Sequence, residues 1–201
     1  MEWGEYKVKM DGKTCCFIGH REIKCTDKLK NKIENHIREL VNKGVITFLF
    51  GSNSQFDDLC HQIVTELQKE NSHIKRIMFT RRSEYAVKKE EKAELEEGWS
   101  KLLKKEVKLK DYEGEMMSDR LWSAGKASYV ERNQDMINLS DYAMFYYDPY
   151  YQPPRRKYSK RSVGDYQPKS GTQLALDYAY QRKRGGKDIT IINVYEEENE
   201  D

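Results

Sequence analysis

Lys169-Ser170-Gly171-Thr172, directly before the apolar-periodic run Leu174, Ala175, Leu176 and Ala179, combines residue types that hold anions. The first N–H groups of a helix point at whatever sits beyond its end, and glycine lets a ligand approach the backbone closely. Thr172 adds a hydroxyl donor and Lys169 adds charge. Taken alone, the same residues serve equally well as an ordinary helix N-cap. Four further segments carry related chemistry. Gly19-His20-Arg21 offers a guanidinium fork that fits phosphate or carboxylate, beside an imidazole able to act as acid or base. Gly51-Ser52-Asn53 is a second small polar loop, followed by Asp57 and Asp58. Carboxylates there complement a helix dipole and cap its amides, and one of them is placed to orient the Gly51 loop or reach a ribose hydroxyl. Within Tyr129–Met136, Arg132 and Met136 stand four apart on one helical face, leaving Arg132-Asn133 for the ligand. Asp148 and Tyr150 complete the set, with Tyr150 and Tyr151 as stacking surfaces for a base.

These residues need a scaffold, and the apolar pattern predicts one. Strand-like runs cover Thr14–Ile18, Val45–Phe50, Ile74–Phe79, Tyr142–Tyr147 and Ile189–Val194, with a short additional strand within Val107–Met117. Between them lie helical stripes. The first carries Leu29, Ile33, Ile37, Leu40 and Val41 and stops at Gly44; the second carries Phe56, Leu59, Cys60, Ile63, Val64 and Leu67. Glu90–Leu103 reads as a mostly solvated helix without assigned function, and Ala127–Leu139 and Thr172–Arg184 as two more. Strands alternating with helices predict an α/β fold with a largely parallel sheet. Ligands of such sheets bind beyond the carboxyl ends of the strands, where strand order reverses, and every candidate residue falls on that rim. Residues 148–169 form a long connection with Pro153-Pro154 and the basic series Arg155, Arg156, Lys157, Lys160 and Arg161. Such a loop can close over phosphates; single-stranded nucleic acid is the weaker alternative occupant.

Composition narrows the class. A chain of 201 residues buries roughly two-thirds of its unfolded surface as one domain, so no disulfide or metal staple is needed. The 35% charged and 37% apolar fractions describe a heavily charged surface around a real core, and the net charge of +2 is too small for general nucleic-acid binding. Cys15, Cys16, Cys25 and Cys60 form no CxxC pair and read as reduced structural thiols, while His36, His61 and His73 lack metal-ligand spacing. No apolar run approaches the ~18 residues of a membrane span. The expectation is a cytoplasmic protein with no membrane partner, metal or cofactor: one domain over 1–195 and a disordered acidic tail over 196–201.

The order Cys16-Phe17-Ile18-Gly19-His20-Arg21, then Phe50-Gly51-Ser52 with Phe56-Asp57, then Tyr129–Met136, then Ser170-Gly171-Thr172 resembles the SLOG superfamily, most closely its YpsA-like bacterial branch, found in Firmicutes and their mobile elements. The likeness spans about residues 12–195. It implies a Rossmann-like, mostly parallel sheet of five to seven strands with helices on both faces, binding nucleotides or nucleotide-derived ligands, commonly as a homodimer or higher homo-oligomer. Relatives include Lonely Guy phosphoribohydrolases, DprA-type DNA-binding proteins and sensors that read nucleotide signals in phage defence. In the hydrolases an Arg before the penultimate strand and a Glu three residues after the Thr of the Gly motif carry catalysis. Arg132 matches the first, whereas Ala175 occupies the Glu position. A methyl group can neither stabilise positive charge on ribose nor activate water, so the expectation is binding without turnover, by a sensor or sequestering protein. The alternative is hydrolysis of an N-glycosidic bond through a displaced acid such as Asp57 or Asp148.

Overall fold

The computed structural model describes residues 12–51, 54–80, 89–104, 109–117, 126–151 and 169–197. Strand and helix alternate along the chain: β1 (Lys13–Gly19), α1 (Asp27–Asn42), β2 (Val45–Phe50), α2 (Gln55–Glu70), β3 (Lys75–Thr80), α3 (Lys89–Leu103), β4 (Gly114–Met117), α4 (Lys126–Leu139), β5 (Tyr142–Tyr146), α5 (Gly171–Arg184) and β6 (Thr190–Asn193). Among the described residues, six strands form one sheet in the order β4-β3-β2-β1-β5-β6, every neighbouring pair parallel. The chain builds outward from β1 to β4 and then crosses back to β5 and β6. The reversal of order therefore lies between β1 and β5.

A parallel central strand is covered on both faces and so must be apolar throughout. β1 meets that condition, with Thr14 to Ile18 all buried and their side chains alternating between two cores. Cys15 and Phe17 join Phe48, Phe50, Met144 and the buried faces of α1 and α2 on one side. Cys16 and Ile18 join Leu49, Ile77, Phe145 and residues of α4 and α5 on the other. Helix ends follow local chemistry. Thr26 caps α1 by accepting the Leu29 amide at 3.2 Å, and Gly44, at φ +88°, makes the left-handed turn into β2 that a side chain would strain.

Among the described residues, the additional strand expected within Val107–Met117 covers Gly114–Met117. Just before it, Glu113 accepts the Arg76 amide at 2.6 Å and binds the Arg76 guanidinium, with 2.5 Å to Nη2, while the Tyr112 ring packs on Phe50 and His61. These contacts hold residues 109–113 against α2 and β3 until the ladder begins at Ile77 opposite Gly114. At the other end, Glu196, the first residue of the acidic run, binds Lys32 at 2.6 Å and Lys28 at 3.0 Å. Among the described residues no helix is long and apolar enough to cross a membrane.

Candidate functional site at the carboxyl edge of the sheet

The rim begins where β1 and β5 end. The His20 amide donates to the Tyr146 carbonyl at 3.3 Å, extending the β1–β5 ladder, and places the imidazole in the crevice between the two strands. There it is 2% exposed and stacks on Tyr151 with centroids 4.0 Å apart. Its Nε2 lies 3.0 Å from the Asp148 amide and 3.1 Å from the Asp148 carbonyl. One nitrogen cannot accept from the first and donate to the second at once. Burial lowers the His20 pKa, which favours the neutral ring accepting from the Asp148 amide. The Asp148 carboxylate in turn accepts the Tyr150 amide at 2.8 Å, closing the turn and leaving the Tyr150 ring 70% exposed. His20 and Asp148 thus pack the space between the ends of β1 and β5, and Tyr150 is exposed beside them.

At the end of β2, a Cβ on Gly51 would lie 2.5 Å from Met136 Sδ and 2.9 Å from Arg132 Nε. Only a bare backbone lets these α4 side chains cross the β2 terminus. The four-residue spacing of Arg132 and Met136 places both against Gly51, as the helical face requires. Arg132 is 2% exposed, donates from Nη2 to Asn133 Oδ1 at 3.2 Å and lies 5.3 Å from the Tyr129 ring centroid. Below it sits Asp57, also 2% exposed, whose Oδ1 accepts the Gly51 amide at 3.4 Å. Asp57 therefore tethers the Gly51 amide at the end of β2. The capping itself belongs to Ser54, which accepts the Asp57 amide at 3.1 Å.

Lys110 escaped the sequence reading. Its ammonium reaches Asp57 Oδ2 at 3.4 Å and pairs with Asp58. Nothing in a stretch rich in Lys and Glu distinguishes it from its solvated neighbours; only the path of residues 109–113 brings it to the rim. Burial pushes the Asp57 carboxyl up from 3.8 to about 6, against the pull of Lys110, the Gly51 amide and Arg132. A raised carboxyl favours folding while protonated, and that contribution is lost as pH rises through the folded value. Asp57→Asn does not titrate, so its stability relative to the unsubstituted chain should rise by about 2 kcal/mol between about pH 4 and pH 7. Urea unfolding at both pH values reads the difference, and parallel profiles for the two proteins contradict it.

The third wall is α5. Ser170 caps the helix by accepting the Gln173 amide at 3.1 Å, leaving the amides of Gly171 and Thr172 outside the intrahelical ladder. A Cβ on Gly171 would meet nothing within 4 Å, so this end faces open space. Lys169 turns back along its own helix to Asp177 at 2.5 Å. Arg21 is exposed on the same rim, and its carbonyl accepts the Gln55 amide at 2.9 Å. Gly19 serves packing, since a Cβ there would lie 2.4 Å from the Phe56 ring. Ser52, Asn53 and the basic series Arg155 to Arg161 lie outside the described residues.

Residues 17–178 match the profile of the YspA SLOG family. The chain belongs to that family. The matched range takes in the ends of β1 and β2, Arg132, and the Ser170–Thr172 turn. Among solved structures, this SLOG chain is similar to DNA processing protein A from Helicobacter pylori, described for its single-stranded DNA binding mode. The two are 16% identical with a TM-score of 0.43, over 85% of this chain and 62% of that one, so the chain spans less than two thirds of that protein. No curated protein sequence matches.

Proposed function

We propose that the chain binds a phosphate-bearing, nucleotide-derived small molecule at the carboxyl edge of its sheet and holds it uncut, as a sensor or sequestering protein. The observation that carries this reading is Arg132, a buried guanidinium packed against Gly51 on the rim onto which the open N-terminus of α5 also faces. A buried arginine is costly, and an edge of the sheet that carries both one and the first amides of a helix is suited to multiply charged oxygens. Tyr150 supplies a face for the base. Ala175 supports holding over cutting: it is 1% exposed and packed in the core with Met136 and Phe145, one turn into α5, where the resemblance to the hydrolases calls for a carboxylate.

Calorimetric titration with mono-, di- and cyclic nucleotides and ADP-ribose derivatives tests the reading; no heat of binding at millimolar ligand across that panel would sink it. Gly171→Asp sharpens the test. The new side chain has room, and a carboxylate in the first turn suits the helix dipole, so stability should hold or rise by a few tenths of a kcal/mol. Binding should weaken at least about tenfold, because the same charge faces the ligand phosphate. Unchanged affinity would remove the α5 terminus from the site.

One observation favours a second reading. Asp57, protonated up to about pH 6 beside the Gly51 amide, is a carboxyl tuned for proton transfer near neutrality. On that reading the ligand is hydrolysed at its glycosidic bond, and free base accumulates on incubation.

A further inference from the structure

Two carboxylates, Asp57 and Asp58, stand in the first turn of α2, at the β2 end where Arg132 packs on Gly51. Asp57 is buried, accepts the Gly51 amide and feels the Arg132 charge. One guanidinium against two carboxylates would leave this end of the sheet net negative, and an arriving phosphate would be repelled. Lys110 changes that balance. Its ammonium meets both acids, 3.4 Å from Asp57 Oδ2 and paired with Asp58 Oδ1.

The lysine is held there by its neighbours. On one side, Glu96 of α3 accepts the Leu109 amide at 2.6 Å, and Lys92 of α3 donates to the Lys110 carbonyl at 3.1 Å and pairs with the Asp111 carboxylate. On the other, His61 of α2 donates from Nε2 to the Asp111 carbonyl at 2.9 Å. The backbone of residues 109–111 is thus fixed between α3 and α2, and the Lys110 side chain spans from it to the first turn of α2. A charge set in advance needs little reordering when a ligand arrives. We infer that Lys110, bracketed by Lys92 and Glu96, is a specificity-determining cation of the site: by neutralising Asp57 and Asp58 it makes the β2 end receptive to phosphate, which selects a nucleotide over an uncharged nucleoside. The inference rests on the proposed binding of a phosphate-bearing ligand at this edge.

Calorimetric titration of the full chain with AMP, ADP and adenosine tests it, at low ionic strength and at pH 8, where Asp57, pushed up to about 6, is ionised. Lys110→Met should weaken ADP binding about tenfold. Asp58→Asn should strengthen it severalfold, and with that side chain 55% exposed no buried contact is lost. The double variant removes one charge of each sign and should return close to the unsubstituted chain. Adenosine binding should respond to none of the three. The opposite signs are the signature, because a pair that only braced the fold would weaken binding when either member was removed. Lys110→Arg should retain ADP affinity, and Asp58→Asn carries the test alone if Lys110→Met does not fold. Equal ADP affinity across the variants, weakening by both single substitutions, or the same losses for adenosine as for ADP would overturn the inference alone. Failure of the unsubstituted chain to bind AMP and ADP would overturn it too, and the reading beneath it falls only if cyclic nucleotides and ADP-ribose are also not bound.

Discussion

Arg132→Ala should weaken nucleotide binding by about 30- to 100-fold, the worth of a charge-assisted, two-pronged contact to phosphate of about 2–3 kcal/mol. The expectation rests on where the residue is held. Its guanidinium is 2% exposed and braced between the Gly51 backbone, Asn133 and the Tyr129 ring, so little freedom is lost when a ligand arrives. Arg132→Lys keeps charge but not the fork, and should fall between the two. Folding is reported separately by thermal unfolding, since removing Arg132 also removes one of the positive neighbours of Asp57. Affinity unchanged in a folded Arg132→Ala chain would take the residue out of the site.

Gly19→Ala should carry the largest stability cost of any conservative change on the rim, about 3 kcal/mol or more. A Cβ at this position would lie 2.4–2.6 Å from Phe56 Cδ1, Cγ and Cβ. Phe56 cannot retreat: it is fully buried in the first turn of α2, 6.5 Å centroid to centroid from Phe17 and 5.9 Å from Tyr146. The end of β1 or the start of α2 must shift instead. Trimming the obstacle, as Phe56→Leu in the Gly19→Ala background, should recover part of the loss, a coupling expected only of residues in contact. Equal urea midpoints for Gly19→Ala and the unsubstituted chain would contradict the packing.

Much of this was legible in the residues. The apolar run at Cys15–Ile18, unbroken by polar alternation, announced a strand buried on both faces, and the stripe Leu29, Ile33, Ile37, Leu40 announced a helix lying on it. The i, i+4 pair Arg132 and Met136 proved to share Gly51, and the Asp57 carboxylate accepts the Gly51 amide. What was illegible depends on contacts distant in sequence. That His20 sits in a loop was legible, but not its partner: its Nε2 lies against the Asp148 backbone, 128 residues away. Lys110 reaches Asp57 across 53 residues, out of a segment whose composition reads as solvent-facing.

On the proposed reading, a nucleotide-derived ligand is held at the carboxyl edge and left intact. Equilibrium dialysis against phosphorylated nucleosides, followed by mass spectrometry of the ligand recovered from denatured protein, tests both halves together. The account predicts saturable retention that is lost in Gly171→Asp, with the recovered ligand unchanged in mass after prolonged incubation. Absence of retention at millimolar ligand, or recovery of free base with a ribose phosphate fragment, would contradict it.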